Sequence, residues 1–214
     1  MKFPFFASFI ILCLVVHRAI SRNTKITKNS EEAFWQKENE ANETRRKSLD
    51  TLNYISFSAS ALSPGQLLDA VSRDIVIANP QVGLIMDKLN LLEKSKLVNL
   101  NYITNTELKA TYGVANLALL TEYDQNYTDF ITVLQEYASI LAQNGLIIPA
   151  LTILETAISA GTDISASYSL AASIYKEQGQ PEKIRELITR AEALNSPRKS
   201  AIVRMLNTIG QDNG

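Results

Sequence analysis

Two side chains suited to nucleophilic or metal chemistry occur once each, Cys13 and His17. Both stand in or beside an apolar run near the N-terminus, "FPFFASFIILCLVV", residues 3–16. Everything after His17 lacks a thiol and an imidazole. That excludes Cys–His and Ser–His–Asp nucleophile systems, thiolate or imidazole zinc sites and disulfides from the rest of the chain. Carboxylate chemistry remains. The nearest approach to an acid pair is Glu122 and Asp124 in "TEYDQNY" (121–127), with no third acid or histidine beside it. It reads as a helix end and a turn, not as a general acid–base pair. There is no glycine-rich phosphate loop and no metal-ligand spacing. The sequence therefore assigns no catalytic, metal-binding or cofactor-binding residue and no cofactor.

The elements that could position a site are helices. Gly and Pro are few, 8 and 6 in 214 residues, and Val, Ile and Thr do not alternate as they do in half-buried strands. Leu, Ala, Glu, Lys and Ser dominate the second half, the composition of helices. The expected fold class is all-α. A net charge of −1 supplies no global field to attract nucleic acid or an acidic substrate. No small-molecule substrate is evident.

The apolar run is the expected membrane contact. Its 14 residues would make roughly 21 Å of helix, against about 30 Å of hydrocarbon. Snorkelling Lys2 and Arg18 extend the reach. Residues 1–20 read as a single-pass anchor or as a signal peptide with a cut after Ser21. His17 and Arg18, between the apolar run and that cut, favour the anchor. The basic residues after the run, Arg18, Arg22, Lys25 and Lys28, place the C-terminal part in the cytoplasm by the positive-inside rule. The alternative is secretion after cleavage.

Residues 21–63 read as a polar linker. Phe34 and Trp35 are the large apolar residues of its charged stretch, and either seat at lipid headgroups or ride on a solvated spacer. Glu43 and Lys47 would form an i,i+4 pair on a short helix. Arg45, Arg46 and Lys47 sit among as many acids and read as a solvated face. Asn42 and Asn126 begin N-x-T sequons.

Residues 64–126 read as a helical capping region. Ser63–Pro64 and Asn79–Pro80 each offer a cap followed by proline, which predicts helices near 64–75 and 80–92. Val82, Ile85, Met86 and Leu89 share one face of the second. "LLEKSKLVNL" predicts a further helical turn. Asn105–Thr106–Glu107 opens a helix toward Tyr112, Val114–Tyr123 continues helical, and "TEYDQNY" breaks into a turn.

Self-similarity organises residues 127–196. "ASILAQNGLIIPALTILETAISAGT" (138–162) and "AASIYKEQGQPEKIRELITRAEALNS" (171–196) align with Gly145 on Gly179, 34 residues apart. At that shift Leu134 meets Tyr168, Ala138 meets Ala172, Leu141 meets Tyr175, Ala150 meets Ile184, Leu154 meets Ile188 and Ala157 meets Ala191. The glycines can adopt the left-handed conformation that ends a helix, and the alanines allow helices to approach closely. A single hairpin cannot bury both faces, so such units stack. Residues 197–214 carry a stripe, Ala201, Ile202, Met205, Leu206 and Ile209, that predicts a capping helix over the open end.

The period, the turn glycines and the two small-residue positions resemble the tetratricopeptide repeat over about 131–196. The resemblance departs from the family at Leu134, where a large aromatic is usual, and at Thr162, where proline usually follows the unit. The layout also resembles small membrane-anchored repeat proteins of Clostridia-type bacteria, through "FWQKENEANETRRKSLDTLNYI" and "YGVANLALLTEYDQNY". The tetratricopeptide resemblance implies a stack whose concave face, lined by the first helix of each unit, holds a protein or peptide partner. In this sequence that face draws on Thr132, Gln135, Ser139, Ala142, Ala166, Ser169, Ser173 and Lys176. Only Lys176 could serve a carboxylate clamp, so that clamp is not expected. The implied function is a membrane-tethered adaptor without catalytic activity. The alternative is a structural or assembly component of the cell envelope that acts by self-association.

Overall fold

A computed structural model describes residues 30–211. The apolar run 3–16, with the anchor and signal-peptide readings attached to it, lies outside the described residues. Among those described, no helix is long and apolar enough to cross a membrane. The fold is mostly helical, as the composition predicts. The described residues divide into two compact units. One holds residues up to Ser48 with Thr104–Leu117; the other holds Leu49–Ile103 with Ala118 onward.

In the first unit, helix α1 spans 30–42, inside the segment expected as linker. It ends before Glu43, so Glu43 and Lys47 do not face each other on a helix. Asn42 is exposed at its end, and Phe34 and Trp35 are exposed along it. Helix α5 (Asn105–Tyr112) starts from a reciprocal cap, in which the Thr104 hydroxyl accepts from Glu107 N and Glu107 returns to Thr104 N. Glu38 of α1 takes the Lys109 ammonium and, at 2.6 Å, the Thr106 hydroxyl of α5. The Lys109 bond first, then that of Thr106, holds its carboxyl below the ordinary glutamate value. Asn116, fully buried, uses its whole amide. Its Nδ2 donates to Lys47 O at 2.7 Å and Tyr112 O at 2.8 Å, while Oδ1 accepts from Arg46 Nε at 3.0 Å. Satisfaction of this kind is what makes a buried amide tolerable.

The second unit begins with a two-residue antiparallel pairing of β1 (Tyr54–Ile55) with β2 (Leu97–Val98), Tyr54 opposite Val98. The further helical turn expected over 91–100 is met only at Leu91–Glu93, the end of helix α4 (Pro80–Glu93); a turn follows, and Leu97–Val98 is strand. The consecutive Leu97 and Val98 are both buried. The helix expected near 64–75 is two helices, α2 (Pro64–Leu67) and α3 (Ala70–Ile77), because Asp69 restarts the chain by accepting from Ser72 N at 2.9 Å.

After a 3₁₀ turn at Val114–Asn116, helix α6 runs unbroken from Leu117 to Gln143. The turn expected at "TEYDQNY" is absent, and the boundary drawn between 126 and 127 falls inside this helix. The segment has no Gly or Pro to end it. Tyr123, Tyr127 and Phe130, spaced by four and three, bury one stripe. Its polar residues find partners off the helix: Asp124 Oδ1 accepts from Leu100 N at 3.0 Å, and Asn126 Nδ2 donates to Lys96 O at 3.1 Å. The Asn126 sequon is thus tied into the fold.

Helices α7 (Ile147–Ser159), α8 (Ser165–Glu177), α9 (Pro181–Glu192) and α10 (Lys199–Gln211) follow. Helix α7 packs on α8, α8 on α9, and α10 on both α8 and α9. Gly145 and Gly179 end their helices at φ 74° and 66°. Of the apolar residues paired at a shift of 34, all except the half-buried Ile188 are buried. They join Val82, Ile85, Leu89, Ile202 and Leu206 in one apolar core. In α10 the buried residues are Ile202 and Leu206; Met205 and Ile209 are half-buried against the same core, while Ala201 is exposed.

Candidate functional site

Three of the eight residues expected to face a partner come together in one groove. Thr132, Gln135 and Ser139 occur at successive turns of α6 and line an open cavity of about 540 Å³ with Gln81, Leu84 and Lys88 of α4. Val133 and Ile140 of α6 and Ile85 of α4 also line it. Leu84 is 70 % exposed and leaves apolar area open in the groove. Lys88 is fixed on the rim by Asp129 at 3.0 Å. Gln135 Nε2 donates to Ser139 Oγ at 3.1 Å, and Gln135 Oε1 accepts from the buried Ser167 hydroxyl at 2.5 Å. Gln135 is thereby held in one orientation, its amide shared between the groove wall and α8.

The other five residues stand outside the lining of this groove. Ala142 is half-buried against the core. Ala166 is exposed on α8, and Ser169, Ser173 and Lys176 are half-buried along the same helix. The α4 wall has no counterpart among the residues the sequence assigns to the partner face. The sequence marks its buried face, but Leu84 and Leu91, seven residues apart and both exposed, are the signal of a second apolar face.

A second, polar cavity of about 280 Å³ lies at the corner between α7 and α8, lined by Asn53, Asn101, Tyr102, Asp163 and Ser196 among others. Tyr102 has φ 68°, the sole left-handed residue other than glycine among the described residues. Its hydroxyl donates to Asp163 Oδ2, which also accepts from Ser196 Oγ at 2.8 Å. The Asp163 bond holds the Tyr102 phenol above its ordinary value, so Tyr102 stays the donor. Behind it, Gly161 O accepts from Tyr127 Oη at 2.9 Å and from Asn99 Nδ2 at 3.3 Å. No sequence signal marks this cluster, because these bonds link residues 33 to 62 apart in the chain.

Comparison of the chain with protein-family models, curated proteins and solved structures finds no match.

Proposed function

We propose that α6 to α10 form a tetratricopeptide-like stack, tethered to a membrane through residues 3–16, which works as an adaptor for a protein partner and performs no catalysis. The observation that carries the reading is the groove between α4 and α6. It is open, floored by apolar side chains and walled by the amides and hydroxyls of Gln81, Thr132, Gln135 and Ser139. This is the form of a site that seats the apolar stripe of a helical segment and reads its edges by hydrogen bonds. The repeat reading is supported by the closures at Gly145 and Gly179, where the same two backbone bonds recur 34 residues apart.

The test is crosslinking and affinity recovery of the full-length protein from a detergent extract, comparing wild type with Ser139→Arg and Leu84→Asp. Both positions line the groove and neither is buried, so the variants should melt as wild type does. Partners recovered with wild type and reduced roughly tenfold by both variants, a loss of about 1.4 kcal/mol, support the reading. Equal recovery with all three overturns the groove, and recovery of nothing overturns the adaptor. Sedimentation with membranes of a chain starting at Met1 supports the tether; a soluble product starting near Arg22 overturns it.

Self-association in the cell envelope is the second reading, favoured by the exposed Val71 and Ile75 of α3 and Leu91 of α4. Light scattering over a concentration series separates the two, since a chain that stays monomeric throughout has no such assembly.

A further inference from the structure

Asp163 is 8 % exposed, and a carboxylate so buried normally keeps a cation beside it. No lysine or arginine pairs with it among the described residues. Its two hydrogen bonds, from Tyr102 Oη and Ser196 Oγ, both fall on Oδ2. Oδ1 takes none. The carboxylate lies just before α8, whose N-terminal end favours negative charge. That and two neutral hydroxyls hold the anion in place and leave one oxygen available.

Two other side chains of the cavity lining are also uncommitted. Asn53 and Asn101 line the same cavity, and neither side chain makes a hydrogen bond among the described residues. Asn99 is different, being fixed by Tyr127 and Gly161 through Nδ2 and by Asn101 N through Oδ1. Beyond it, the cavity presents one negative charge and free amide groups in about 280 Å³. A divalent cation such as calcium wants six to eight oxygens and commonly several carboxylates, more charge than one aspartate supplies. A primary ammonium carries one charge and three N–H donors, which suits one carboxylate oxygen and neighbouring amide oxygens.

We propose that the cavity at Asp163 is a binding site for a primary ammonium group, with Asp163 Oδ1 as the charged acceptor and Asn53 and Asn101 as its neutral partners. The group belongs either to a free alkylamine or to a lysine side chain of a bound protein. The site is built from residues other than those of the α4–α6 groove and stands whether or not that groove holds a partner.

The experiment is amide-shift titration of the full chain in detergent micelles. The probes are n-butylammonium, for a free amine, and N-acetyl-lysine methylamide, for a protein lysine. Tetramethylammonium, with the same charge and no N–H, is the control. Saturable shifts at Asn101, Tyr102, Gly161 and Asp163 with at least one of the two amines, absent with tetramethylammonium, are expected. Which amine binds more tightly identifies the source. Asp163→Asn should weaken binding roughly tenfold or more. Should that variant fail to fold, Asn53→Ala, at an exposed side chain, carries the test and should weaken binding several-fold. Absence of saturation with both amines overturns the proposal. So does equal binding of tetramethylammonium, or affinity unchanged in the variant that folds.

Discussion

Gly145 and Gly179 stop their helices in the same way. Each donates its N–H to the carbonyl three residues before it, Ala142 or Lys176, and the next residue reaches back five positions, Leu146 to Leu141 O and Gln180 to Tyr175 O, at 2.9 Å in both cases. This double closure satisfies the last carbonyls of the helix and needs a left-handed residue. A methyl group added at either glycine meets nothing within 4 Å. The need is therefore conformational and not steric. Alanine at 145 or 179 should cost only the left-handed penalty, about 1–2 kcal/mol. Gly113 differs. At φ 87° and ψ 145° it occupies backbone space reserved for glycine, and an added Cβ would stand 2.5 Å from Arg45 O. Gly113→Ala should cost more than about 3 kcal/mol, through strain and clash together. Denaturant melts of the three variants, with hydrogen exchange at Lys47 and Asn116 to read the Gly113 region, check the order. Similar losses in all three would show that the contact at Arg45 yields.

Ala138, Ala172, Ala157 and Ala191 are all fully buried. At Ala172 the side chain belongs to the core that α7, α8, α9 and α10 share. Leucine there adds three carbons where neighbours are already packed. Ala172→Leu should cost about 1–3 kcal/mol, while Ala166→Leu on the exposed side of α8 should fall within about 0.5 kcal/mol of wild type. Equal melting of the two variants would count against the register that sets Ala138 on Ala172.

These residues also show what the sequence could reveal. The glycines and alanines of 138–191 were legible because helix ends and close helix approach restrict residue type, and the restriction recurs at a fixed interval. The α10 stripe was legible for the same reason. Its start, 34 residues after that of α8 with the same length of 13, was hidden because Leu206 stands where Ala172 and Ala138 do, so the match is of burial and not of size. The short β1–β2 pairing was hidden because two residues cannot show an alternation. The polar run inside α6 reads as a turn from sequence because the partners that hold Asp124 and Asn126 on a helix lie 24 or more residues away in the chain. Half of the groove was visible on α6. The α4 wall and the Asp163 cavity depend on which segments meet, which one helix's periodicity does not encode.

Tyr137 and Tyr168 are fully buried, and their hydroxyls have no hydrogen-bond partner among the described residues. A buried hydroxyl without a partner gives up water and gains nothing in return. Tyr137→Phe and Tyr168→Phe should therefore be neutral or stabilise by up to about 1 kcal/mol, where removing a bonded hydroxyl would destabilise. Burial also pushes both phenols up to about 12 from an ordinary value of 10. The direction of the resulting pH dependence follows. Below pH 10 both folded and unfolded chains hold the protons, and the contribution to stability is fully present. Between about 10 and 12 the unfolded chain releases them while the folded chain does not, so the unfolded state binds fewer protons and stability falls as pH rises. Each phenol should remove about 2 kcal/mol by pH 12. The double variant should lose less stability than wild type over that interval, and the two should run parallel below pH 9. Denaturant melts at half-unit steps from pH 8 to 12 measure it. Parallel loss across the whole range would show that other groups drive alkaline unfolding. A loss of about 2 kcal/mol on either single substitution at neutral pH would show that the hydroxyl has a partner, such as a buried water.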